Sequence, residues 1–135
     1  MKITLLLALC VFLAACSTTP LSSQDASPVP PERLHSFQDA DAGSSRLVVT
    51  RDKGLFGSGC RTNTYINGVH AAEVGAGESA RFYLKPGRHI VGVQPRGICT
   101  GGLKEAEVMT EKNKESRYRI SIDSSSSMDI SPTAF

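Results

Sequence analysis

Few side chains in this chain could do chemistry. Of its four cysteines, Cys60 and Cys99 sit in glycine-bearing stretches, Gly57-Ser58-Gly59-Cys60 and Gly97-Ile98-Cys99-Thr100-Gly101-Gly102. Two thiols can close a disulfide, supply half of a zinc site, or include one nucleophile. A zinc site needs three or four ligands, and no third ligand is spaced near either cysteine. A nucleophilic thiol needs a partnered base. His70 and His89 are candidate metal ligands, but neither has a companion at ligand spacing. Glu105 and Glu107 lie two apart, so on a strand they share a face. With Arg119 on a nearby run they read as a solvated ion-pair ladder rather than an acid/base pair. Gly57-Ser58-Gly59 is a fragment of a phosphate-binding loop. Such a loop needs a helix N-terminus directly after it, and here Arg61-Thr62-Asn63-Thr64 leads into a strand. No ordering of Ser, His and Asp suggests a triad.

The elements that must position these residues are strands. Arg46 to Arg51 is a β-type run. Asn63 to Ile66 meets Val69 to Ala72 through Asn67-Gly68, the strongest short-range hairpin signal because a type I′ turn needs positive φ at both central residues. Pairing Ile66 with Val69 puts Thr64, Ile66, Val69 and Ala71 on one face and makes Tyr65 and His70 neighbours on the other. Ser79 to Leu84 turns at Lys85-Pro86-Gly87-Arg88 into His89 to Val93, so Ala80, Phe82 and Leu84 oppose Val93, Val91 and His89 on a core face. His89 in that place is expected to bond a backbone carbonyl. Glu105 to Thr110 pairs in the same way with Arg117 to Ile122: Ala106 and Val108 face Tyr118, Ile120 and Ile122, and Glu107 meets Arg119 outside. Met128-Asp129-Ile130 is a last short strand. No segment supports a helix of about ten residues. The expected fold is all-β: a small antiparallel two-sheet sandwich of six or seven strands, immunoglobulin- or transthyretin-like, over residues 46–135.

The amino terminus has a different character. After Met1-Lys2, Ile3 to Leu13 is almost purely apolar, and Ala14, Ala15 and Cys16 follow. That is the pattern of a secretory signal; a spanning helix would need about 20 apolar residues. Cys10 falls inside the removed segment. An exported address is oxidising, so a Cys60–Cys99 disulfide is the default for the two remaining thiols, with metal site and reactive thiol as the rivals.

Leu13-Ala14-Ala15-Cys16 also resembles the lipobox of bacterial lipoproteins. The resemblance implies removal of residues 1–15, a thioether-linked diacylglycerol on Cys16, and a further acyl chain on its new amine. Palmitate is the usual source of such chains. Two or more chains anchor stably. Ser17 in place of Asp implies export to the outer membrane, facing the periplasm. Residues 16–45 then read as a lipidated cysteine and a disordered Ser/Pro linker, with four of the seven prolines and no sustained period. As a random coil it would span roughly 30 Å and lift the domain off the bilayer. His35 and Phe37 are the exceptions in this segment: docking on the domain is the alternative for them, and moving with the linker is the expectation.

The run Tyr65-Ile66-Asn67-Gly68 followed by Phe82-Tyr83-Leu84-Lys85-Pro86-Gly87-Arg88-His89-Ile90-Val91 resembles PEGA-type β-sandwich modules, and small bacterial lipoproteins of unknown function that carry a similar domain. The likeness covers roughly residues 46–123 and does not include the Cys60/Cys99 pair. It implies a fold and an envelope address, and no catalytic residue.

Residues 46–135 hold 13 Lys/Arg against nine Asp/Glu. That mild basic surplus, with no Lys/Arg run interleaved with aromatics, reads as solvated charge and not as a nucleic-acid surface. The expectation is therefore a non-enzymatic, lipid-anchored envelope module that needs no cofactor and binds an envelope protein or cell-wall partner such as peptidoglycan. The alternative is an envelope hydrolase or metal-dependent enzyme.

Overall fold

The computed structural model describes residues 18–42, 44–55 and 57–135. The expected leader, Cys10 and the expected lipidation site Cys16 lie outside them. Among the described residues, nine strands form two sheets: β1 (Ser27–Pro28), β2 (Ser45–Arg51), β3 (Thr62–Ile66), β4 (Val69–Val74), β5 (Glu78–Leu84), β6 (Gly87–Pro95), β7 (Lys104–Thr110), β8 (Glu115–Ile122) and β9 (Met128–Pro132). One sheet runs β1-β5-β2-β8-β9 and the other β4-β3-β6-β7. The two-sheet sandwich is as expected. It has more strands than six or seven, and it is not purely antiparallel, because β2 pairs parallel with β8 and β1 parallel with β5.

The core lies between the sheets. Leu47, Val49, Phe82, Leu84, Ile120 and Ile130 from one sheet meet Ile66, Val74, Val91, Val93 and Val108 from the other. Alternation along β3 (Thr62 buried, Asn63 half-buried, Thr64 buried, Tyr65 half-buried, Ile66 buried) turns every second side chain inward. The Asn67-Gly68 turn joins β3 to β4 with φ of 50° and 78°, the positive pair that a type I′ turn demands and that glycine supplies without steric cost.

Two expected hairpins are absent. β5 pairs with β2 and β1, while β6 pairs with β3 and β7. The Pro86-Gly87 turn therefore arches from one sheet to the other. β7 and β8 are related in the same way: β7 pairs with β6, and β8 with β2 and β9. In an arch the inward residues of both strands still face each other, but across the core and not along a ladder. The core residues Ala80, Phe82, Leu84, Val91, Val93, Val108, Tyr118, Ile120 and Ile122 are accordingly buried as the pattern requires. Glu107 and Arg119 are not partners: Glu107 takes Arg88, and Arg119 takes Asp52.

The largest correction concerns the linker. From Thr18 onward the segment expected to be disordered packs on the domain as a strap. Ser27 and Pro28 add a short parallel strand to β5, Val29 is 3% exposed in the core, and Leu34 and Phe37 pack against it. Pro31–Arg33 makes one 3-10 turn. Leu34 then bridges Ala72 of β4, His35 N donates to Ala71 O (2.8 Å), and Tyr83 N of β5 donates to Phe37 O (2.8 Å). The strap thus covers the edges of β5 and β4 on the same side of the sandwich, where unpaired backbone groups would otherwise face solvent. Arg33 fastens it with a forked ion pair to Glu78 (2.8 and 2.6 Å) and a further bond to Glu73 O (3.1 Å). Prolines and serines spaced this way lack any period because the strap has no face of its own; it uses isolated apolar residues to fill a gap.

Candidate functional site

Two constellations of polar and reactive side chains stand out among the described residues. The first is at the edge of β4. A bulge opposite Thr64/Tyr65 leaves Tyr65 paired with His70 and Thr64 with Ala72, so Ala71 is the extra residue. Strict alternation would put His70 and Glu73 on opposite faces. The bulge brings both to one face, and the strap delivers His35 beside them. The His35 and His70 rings lie 4.7 Å apart, and the Tyr65 ring is 5.4 Å from His70. One ligand atom from each of His35, His70 and Glu73 falls within 4.8 Å of the others. Spacing alone does not show this juxtaposition, because the sequence pattern puts His35 in the linker.

The electrostatics of the cluster favour ion pairing. Glu73 Oε1 is 3.7 Å from His35 Nε2. Its Oε2 accepts from Arg61 (3.3 Å) and from Arg96. Burial pushes the Glu73 carboxyl up, but the two guanidinium groups outweigh it and hold the group below its ordinary value. A tetrahedral zinc with bonds of about 2.0–2.1 Å holds its ligand atoms roughly 3.3 Å apart. Binding one here would require His35 to close in and would set a dication beside two arginines. His70 Nε2, buried and without a hydrogen-bond partner, is the one feature that fits a missing ligand. The arrangement as it stands latches the strap to the sheet.

The second constellation is the end of the sandwich where residues 52–55, 57–61, 96–103 and 123–127 come together. Cys60 and Cys99 are disulfide-bonded there, with Cα atoms 6.1 Å apart. Beneath them Arg51, 2% exposed, ends β2. Its guanidinium donates to Cys60 O (2.6 Å), Gly57 O (2.6 Å) and Val74 O (3.3 Å). Burial pushes its pKa down. The carbonyls hold the loop by a charge-assisted web, and above them a cavity of about 230 Å³ is lined by Arg51, Cys60, Ile98, Cys99, Ile122 and Met128 among others. The neighbouring Asp52, fully buried, accepts from Arg119 (2.6 Å) and from Thr18 Oγ1 (3.3 Å). With both cysteines oxidised, neither serves as a nucleophile or a metal ligand.

The remaining candidates have structural partners. His89 is half-buried; its Nε2 lies 2.7 Å from Lys85 O, as expected, and its Nδ1 lies 2.9 Å from Asn67 Nδ2. Ser58 of Gly57-Ser58-Gly59 bonds Leu55 O through its amide and hydroxyl, and Gly57 O is occupied by Arg51, so the stretch is a turn closed on itself. Glu105 stands opposite Gly92 on β6, with Glu107 two residues along opposite Ile90.

No protein-family model matches the chain, and no curated protein matches it.

Proposed function

We propose that this chain is a bacterial envelope lipoprotein, held to a membrane by acyl chains on Cys16, whose small β-sandwich is a non-catalytic module for a protein or cell-wall partner. The observation that carries the reading is the leader itself: Ile3 to Leu13 ending in Leu13-Ala14-Ala15-Cys16, directly ahead of a folded domain. The Cys60–Cys99 bond supports an oxidising compartment. Outer-membrane placement facing the periplasm follows from Ser17, and the PEGA-type resemblance of residues 46–123 agrees with an envelope module. No described helix is long and apolar enough to cross a membrane, so in this reading the lipid does the anchoring. The strap leaves β7 and β9 as sheet edges on the side away from β4 and β5, and an added strand or an extended glycan-peptide is the kind of partner such an edge accepts. The test is metabolic labelling: palmitate enters the wild type and not Cys16→Ser, and the wild type fractionates with membranes. Equal labelling of both proteins rejects the reading.

A second reading, a metal-dependent enzyme, is favoured by one observation, the cluster of His35, His70 and Glu73 with its unpartnered Nε2. Calorimetric titration of the protein with zinc chloride separates the two. The arginine-paired carboxylate predicts no stoichiometric binding. A one-to-one isotherm abolished by His70→Ala would establish the metal site.

A further inference from the structure

The strap changes where an anchor at Cys16 would put the domain. Between Cys16 and Thr18 there are two peptide units, at most about 7 Å of chain. Thr18 is already part of the fold. Its amide donates to Ile122 O (3.2 Å), its hydroxyl accepts from Ile122 N (3.1 Å), and Thr19 and Lys53 exchange backbone bonds (2.7 and 3.2 Å). Gly54 permits this approach, because a Cβ there would stand 3.0 Å from the Thr18 Cα. The chain therefore enters the domain at the disulfide end, beside Asp52, Lys53 and Gly54.

That end is also where the two most exposed large apolar side chains among the described residues are found, Ile98 at 97% and Leu55 at 88%. They sit on the two loops that the Cys60–Cys99 bond joins. Arg61 and Arg96, each about half exposed and both paired with Glu73, line the rim beside Ile98, and Lys53, exposed, precedes Leu55 by two residues. Apolar side chains flanked by cations are the composition of a surface that rests in a bilayer interface, with the apolar groups at the headgroup–acyl boundary and the cations among phosphates.

We infer that the disulfide end is a bilayer-docking face: the acyl chains on Cys16 draw it down, Leu55 and Ile98 enter the interface, and the rim of Lys53, Arg61 and Arg96, three cations against the single carboxylate of Glu73, faces lipid phosphates. The inference rests on acylation of Cys16. It replaces a domain floating about 30 Å away on a coil with one seated directly on the membrane. The disulfide then keeps the two apolar loops as one rigid edge, and the sandwich stands with its far end and the β7 and β9 edges turned to the periplasm.

The chain contains no tryptophan, so single substitutions give unambiguous fluorescence probes. Ile98→Trp and Leu55→Trp report on the proposed face. Met109→Trp, at the other end of β7 and 62% exposed in the native chain, is the comparison. Each full-length precursor is expressed so that it is processed in the cell, and its acylation and intact disulfide are confirmed by mass. It is then reconstituted in phosphatidylethanolamine/phosphatidylglycerol vesicles containing acyl-brominated lipid. The expected result is roughly twofold or greater quenching with a blue shift for Trp at 98 and at 55, and little change at 109. Acylated protein that floats with the vesicles but quenches equally at all three positions would overturn the docking face and leave the lipoprotein reading intact. Unmodified protein that does not float would overturn both.

Discussion

Arg51 is the residue on which the disulfide end depends. Its guanidinium, on a residue 2% exposed, donates to three backbone carbonyls. Arg51→Met, which fills similar volume, removes all three of these bonds; Gly57 O keeps the Cys60 amide (3.1 Å), and each carbonyl left unmet costs about 1–3 kcal/mol where it stays dry. A urea melt of the variant is expected to show a loss of at least about 2 kcal/mol; an unchanged midpoint would mean that water replaces the guanidinium freely. Glu73 and Glu78 give the strap its pH dependence. Burial pushes both carboxyls up, yet their arginine partners, and for Glu78 also the Gly75 amide, bring each below its ordinary value of 4.5. A carboxyl lowered in the folded state contributes stability that is present above the unfolded pKa and is lost as the pH falls through the folded one. Both residues hold the strap. Acid is therefore expected to release it below about pH 4, seen as faster amide exchange in residues 27–37 before the sandwich melts. Exchange that rises uniformly across the chain would contradict this.

Legibility from sequence was uneven among the elements, for physical reasons. Periodicity reports which side chains turn inward, and β3, β5, β6 and β8 show their buried faces through it. It is blind to which strand lies alongside. A Pro-Gly turn serves a hairpin or an arch equally well, and the parallel pairing of β2 with β8 joins residues whose numbers differ by about 70, beyond the reach of any local signal. The β4 bulge is equally silent, since Ala71 and Ala72 are both small and apolar and either could face the core. That silence hid the proximity of His70 to Glu73. The strap was missed because Val29, Leu34 and Phe37 are isolated apolar residues among prolines and serines, the composition of a linker. Its contribution is open to test. A chain beginning at Ser44 exposes the edges of β4 and β5 and removes Val29 from the core, and is expected to melt at lower temperature and to aggregate. An unchanged Tm would show that the strap only lies on the surface.

For the whole molecule, the sandwich, strap and disulfide together give a small domain with differentiated sides. The strap seals one flank, β7 and β9 form the other, and the disulfide draws two loops together at the end where the chain enters. In the chain-entropy treatment a bond closing a loop across a separation of 39 residues stabilises by about 4 kcal/mol. The Cys60→Ser, Cys99→Ser double variant is expected to lose up to that amount in urea, and to lose the difference in membrane quenching between positions 98 and 109 as its loops part. The claim from which the proposed function and the orientation both follow is covalent attachment at Cys16. Intact-mass analysis of protein purified from the membrane fraction tests it most directly. A mature chain beginning at Cys16 with the added mass of a diacylglycerol and an amide-linked acyl chain is the expected result; a chain carrying residues 1–15, or an unmodified Cys16 recovered from the soluble fraction, would contradict it.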